Sequence, residues 1–139
     1  MADYAGDVSV EDAWQAIQSD PDAVLIDVRT QPEWAFVGLP DLSAAGKQPL
    51  LVQWQVYPSM QVNPQFKQQI ADAGASSDKK LYFICRSGAR SRNAAIAMTQ
   101  AGYAHCFNIA GGFEGGHDAT RHRGTTDGWK AAGLPWLQD

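Results

Sequence analysis

Leu81-Tyr82-Phe83-Ile84-Cys85-Arg86-Ser87-Gly88-Ala89-Arg90-Ser91 passes from four large apolar residues into a short polar loop with one cysteine, one glycine and two arginines. The run 81–84 is short and continuously apolar, which predicts a strand buried on both faces, as in a parallel sheet. Small residues fill 91–101 and Gly102 follows, which predicts a helix that ends there. Cys85 therefore stands where a strand turns into a helix. Such a turn aims several backbone N–H groups at one spot before the helix N-terminus, and together with the helix dipole they form an anion site. Gly88 gives the turn a backbone conformation that other residues resist. Arg86 and Arg90 add positive charge, with Arg92 nearby. A cysteine in this setting is favoured as the thiolate, so Cys85 is expected to be a nucleophile rather than one more buried cysteine.

The same alternation extends outward from this stretch. Ser9 is placed to cap a helix carrying Val10, Trp14 and Ile17 on one face. Residues 23–28, Ala-Val-Leu-Ile-Asp-Val, form a second apolar run of strand length, and Thr30 with Glu33 matches a capping box. Residues 38–49 are rich in Gly, Pro, Ser and Asp and read as a loop. Residues 50–54 are a further strand candidate. Asn63-Pro64 starts a helix with Phe66 and Ile70 inward that stops at Gly74. Residues 105–109 read as a strand broken by Gly111-Gly112, and a last helix is expected over 127–132, ending at Gly133. A short first strand at 6–8 has the weakest signal. Strands alternating with helices predict an α/β fold with a mostly parallel sheet, whose ligands bind beyond the carboxyl ends of the strands.

Composition bounds the function. A chain of 139 residues suits a single domain, residues 1–139. Its net charge of −4 argues against non-specific nucleic-acid binding, which needs a basic surface, and against an anionic membrane surface. Residues 1–10 show no secretory signal, and no apolar stretch is long enough to span a bilayer. The two cysteines, Cys85 and Cys106, make no C-x-x-C pair, so a reducing cytoplasm is the expected compartment.

From these residues outward, the chain resembles the rhodanese (thiosulfate sulfurtransferase) superfamily in its single-domain form. Leu25-Ile26-Asp27-Val28-Arg29 followed by Glu33-Trp34 is similar to the family's I-D-V-R…E-aromatic signature. Residues 81–91 are similar to its active-site strand and loop, 101–113 to its G-aromatic…G-G segment, and 129–135 to its closing W…G-L-P. The resemblance implies a rhodanese-like α/β fold, with a five-stranded, mostly parallel sheet and helices on both faces. It implies a sulfurtransferase in which Cys85 takes sulfane sulfur from a small anionic donor such as thiosulfate, becomes a persulfide, and passes the sulfur to a thiol, cyanide or protein acceptor. Arg86, Ser87, Gly88, Ala89, Arg90 and Ser91 would bind the substrate, and Asp27, Arg29 and Glu33 would support the scaffold. No metal or organic cofactor is implied. The sequence departs from the family at Gly38-Leu39-Pro40-Asp41-Leu42, which lacks the usual histidine, and at residues 114–127, which look like an inserted loop whose Arg121, His122 and Arg123 are candidates for the active-site rim.

Other readings are weaker. His105, His117 and His122 match no common zinc spacing. Cys106 reads as a core residue, with a resolving disulfide to Cys85 as the sharper alternative. The glycines at 111–116 match no nucleotide-binding pattern. A cysteine phosphatase would need a loop one residue longer than the four residues between Cys85 and Arg90. A non-catalytic binding module remains the alternative from a different class, although such members typically lack the cysteine.

Overall fold

The computed structural model describes residues 3–138. In chain order it contains β1 (Gly6–Val8), α1 (Val10–Ser19), β2 (Ala23–Asp27), α2 (Gln31–Phe36), β3 (Leu39–Pro40), a 3-10 turn (Ser43–Ala45), β4 (Leu50–Leu51), β5 (Gln55–Val56), β6 (Gln61–Val62), α3 (Phe66–Asp72), β7 (Lys80–Ile84), α4 (Ala89–Gln100), β8 (Cys106–Ile109) and β9 (Trp136–Leu137). The central sheet has five strands in the order β1-β8-β7-β2-β4, all parallel. Two antiparallel ribbons, β3 with β9 and β5 with β6, flank it.

Side-chain alternation along the strands divides the core into two layers. Ile26 and Val28, with Leu81, Phe83 and Cys85, pack against Phe66 and Ile70 of α3 and Ala94, Ala95 and Met98 of α4. Ala23 and Leu25, with Tyr82 and Ile84, pack on the other face against Val10, Ala13 and Ile17 of α1 and against Trp129. Helices thus cover both faces, as expected, and the apolar runs 23–28 and 81–84 are apolar because both sides of each strand are buried. Parity also aims Cys85, which shares its face with Leu81 and Phe83 and so points toward α4.

Local signals explain most boundaries. Ser9 Oγ accepts the Asp12 N–H at 3.0 Å, Asn63 Oδ1 accepts the Gln65 N–H at 3.0 Å ahead of α3, and β1 pairs with β8 despite its weak signal. Three expectations are corrected. Helix α4 begins at Ala89, two residues before Ser91, because Gly88 at φ +115° is its N-cap. The strand expected over 50–54 keeps only Leu50–Leu51; the Val52 and Trp54 N–H groups still reach Asp27 O and Val28 O as the chain turns away into β5. The last helix, expected over 127–132, does not form. Gly128 at φ +96° breaks the helical path, and the Trp129 and Lys130 N–H groups go to Gly112 O (2.8 Å) and Phe113 O (3.1 Å). Residues 128–133 are a turn docked onto the double-glycine segment.

Candidate active site

Cys85 ends β7, and its side chain is nearly inaccessible at 1% exposure. It belongs to the apolar layer under α4, but two polar groups reach its sulfur. Sγ accepts the Gly88 N–H at 3.1 Å and lies 3.2 Å from Ser91 Oγ. It borders a cavity of about 360 Å³ lined by Glu33, Gln55, Met60, Cys85, Arg86, Ser87, Ala89 and Arg90. Ala89 and Arg90, in the first turn of α4, line this cavity, and the N-cap residue Gly88 supplies the backbone N–H that reaches the sulfur.

The loop backbone is clamped from below. Cys85 O accepts the Phe113 N–H at 2.8 Å, and Arg86 O accepts the Glu114 and Gly115 N–H groups at 3.0 and 3.1 Å. Gly112 lies so close that a Cβ there would sit 2.6 Å from both Cys85 O and Arg86 O. The double glycine therefore serves close backbone approach as well as ending β8.

The scaffold residues form two ion pairs. Asp27 and Arg29 are fully buried, joined through Arg29 Nη2 and Asp27 Oδ2 at 2.7 Å. Arg29 Nη2 also donates to Gly38 O at 2.7 Å, and its guanidinium lies 4.3 Å from the Phe113 ring centre. Glu33 takes Arg90 in a forked pair, Nη1–Oε1 at 2.6 Å and Nη2–Oε2 at 2.9 Å, and accepts both the N–H and the hydroxyl of Thr30. The expectation that Arg90 presents an open charge to a donor meets this pairing: its guanidinium is matched by Glu33 in the same cavity wall. Arg86 is exposed and has no ion-pair partner among the described residues.

Burial pushes the Glu33 carboxyl up, but the Arg90 guanidinium and the Thr30 donors outweigh it and hold the group at about 2, below its ordinary 4.5. A depressed carboxyl stabilises the folded state above its unfolded value, and that contribution is lost as pH falls toward 2. Glu33→Gln is therefore expected to cost about 1–3 kcal/mol at neutral pH, with the gap from the parent closing between roughly pH 4.5 and 2. Urea unfolding across that range measures it. A gap that stays constant down to pH 2 would refute the pairing.

Several sequence candidates fall elsewhere. Arg121, His122 and Arg123 do not line the Cys85 cavity. They belong to a self-organised loop in which the Asp118 carboxylate accepts from Thr120, His122 and Thr125, and Arg123 Nη1 donates to Gly115 O. Cys106 pairs in register with Leu81, four residues before Cys85. At about 3.3 Å per residue that places it on the order of 13 Å away, too far for a disulfide. Burial pushes its thiol up to about 11. Among the described residues no group of three or more His, Cys, Asp or Glu side chains is gathered as for a metal, and no helix is long and apolar enough to cross a membrane.

Two features of the site were not read from sequence. Gln55 and Met60 reach the cavity from the β5–β6 ribbon, a non-local approach that carries no local signal. Asn108, 4% exposed, accepts the Ser91 hydroxyl at 2.6 Å. A polar residue within Cys106-Phe107-Asn108-Ile109 was the available clue, since a buried amide requires partners.

Comparisons with known proteins agree with this architecture. Rv0390 from M. tuberculosis superposes with a TM-score of 0.88 at 42% identity, covering 98% of this chain and 99% of that one. The polysulfide-sulfur transferase homodimer from Wolinella succinogenes superposes at 0.65 with 22% identity, over 99% of this chain and 80% of that one, a likeness of fold. The fold is rhodanese-like. RP600 of Rickettsia prowazekii is 35% identical over 125 residues, and its homolog in Rickettsia rickettsii is 38% identical over 124, each alignment covering 89% of this chain and 90% of the relative. The family model described as the STR4 middle domain matches residues 5–139, and the chain belongs to that family.

Proposed function

We propose that the protein is a sulfurtransferase that carries sulfane sulfur on Cys85. The observation that supports this most is a single cysteine sulfur at the end of a parallel strand. It accepts a loop N–H and stands before a helix N-terminus, at a cavity bearing the uncompensated charge of Arg86. The Cys85 thiolate attacks the outer sulfur of a donor such as thiosulfate. A new S–S bond forms at Sγ, the donor's own bond to that sulfur breaks, and the electron pair leaves with sulfite. An acceptor thiolate or cyanide then attacks the outer sulfur and Cys85 leaves as thiolate, so the cycle needs no external oxidant. The N–H groups from Arg86 to Ser91 and the α4 dipole stabilise the negative charge. Arg86 attracts the anionic donor, while Arg90 and Glu33, along with Asp27 and Arg29, hold the loop in shape.

Turnover assayed with thiosulfate and with polysulfide as donors, and cyanide or a dithiol as acceptor, tests this. Transfer is expected with at least one donor. Arg86→Gln is expected to raise KM for an anionic donor several-fold with a smaller effect on kcat, because long-range attraction acts mainly on encounter. Absence of transfer from every donor would overturn the proposal, and the non-catalytic module would then be the better reading.

A further inference from the structure

Ser91 has one hydroxyl proton and two candidate acceptors, Asn108 Oδ1 at 2.6 Å and Cys85 Sγ at 3.2 Å. The choice is made outside the loop. Asn108 lies opposite Asp7 in the β1–β8 pairing, and Asn108 Nδ2 donates to Asp7 Oδ1 at 3.0 Å. The Tyr4 hydroxyl donates to the same oxygen at 2.8 Å. A carboxylate only accepts hydrogen bonds, so the NH₂ end of the Asn108 amide must face Asp7. Oδ1 then faces Ser91, and the hydroxyl donates to it across the shorter distance. Ser91 is left presenting a lone pair to the sulfur.

We infer that Asn108, oriented by Asp7, is a positioning residue that draws the Ser91 proton away from Cys85 and keeps the thiolate a strong nucleophile. Gly88 N–H then remains the hydrogen-bond donor to Sγ. A thiolate given a second donor is better stabilised and less reactive. The loaded form loses nothing by this arrangement: once the persulfide forms, the charge resides on the outer sulfur and Sγ, bonded to carbon and sulfur, needs no donor. The network thus raises the free enzyme relative to the loaded one and favours uptake. This last step rests on the proposed function; the effect on nucleophilicity does not.

Asn108→Leu removes the competing acceptor and lets Ser91 donate to the sulfur. Alkylation of Cys85 by iodoacetamide, taken on the high-pH plateau where its rate no longer rises, is expected to slow about three- to tenfold. Sulfur loading from the active donor should slow in parallel. The same substitution added to Ser91→Ala should change the plateau rate by less than about twofold, since no proton is left to redirect. A merely structural role would slow the reaction equally with and without the Ser91 hydroxyl, and that result, or no slowing at all, would overturn the inference. Should Asn108→Leu not fold, Asp7→Ala at an exposed position carries the test. It frees the amide to turn, so the plateau rate should fall at least about twofold, and an unchanged rate would refute the role. If alkylation responds as expected but no donor loads Cys85, the positioning role stands and the sulfurtransferase reading fails.

Discussion

Replacing Cys85 with serine is expected to lower sulfur transfer about 10³-fold or more, to the uncatalysed background, because no second nucleophile can take its place. Cys106, the other cysteine, lies near the opposite end of the sheet with its thiol pushed up to about 11 by burial. Serine keeps nearly the same volume, so the Gly88 N–H retains an acceptor, the new hydroxyl can donate to the Ser91 oxygen, and the fold should survive. A neutral hydroxyl, however, attacks sulfur poorly and cannot hold a sulfane atom reversibly. Steady-state turnover with the active donor measures the effect, and thermal melting confirms folding. Activity retained within tenfold of the parent would show that the chemistry lies elsewhere.

The second large effect is on stability. Arg29→Ala is expected to cost about 3–5 kcal/mol, since it leaves the fully buried Asp27 carboxylate without its cation. Against a typical total of roughly 5–15 kcal/mol, this is enough to lower Tm on the order of 10–20 °C. Three contacts are lost together: the pair with Asp27, the bond to Gly38 O that ties down the chain after α2, and the stacking on Phe113. Phe113 N–H in turn holds Cys85 O, so sulfur uptake should fall more than folding alone explains. Arg29→Lys is expected to recover only part of the loss, because an ammonium cannot reproduce the guanidinium fork. Urea unfolding gives the number, and a cost below about 1 kcal/mol would mean the pair is not structural.

Most of the fold was legible because its signals are local. The runs 23–28 and 81–84 read as strands buried on both faces, and Ser9 and Gly74 marked helix ends. Asn63 instead heads the turn at Pro64-Gln65, and α3 starts two residues later than expected, at Phe66 after the N-cap Gln65. The last helix does not form because, although 127–132 has helical composition, Gly128 is held at φ +96° where its backbone packs closely against Gly115 and Gly112. In the site, Cys85 and the residues after it were legible as a strand-to-helix turn. The neutralisation of Arg90 by Glu33 was not, since 57 residues separate them and only folding brings them together. The same holds for Asn108, whose partners Ser91 and Asp7 come from α4 and β1, and for Met60, brought in by the β5–β6 ribbon.

Intact-protein mass spectrometry after incubation with thiosulfate or polysulfide, followed by removal of excess donor, tests the central claim most directly. The account predicts a species heavier by one sulfur atom, located on the peptide containing Cys85 and discharged by cyanide. A mass that stays unchanged with both donors, or a sulfur adduct carried by Cys106 instead, would contradict it.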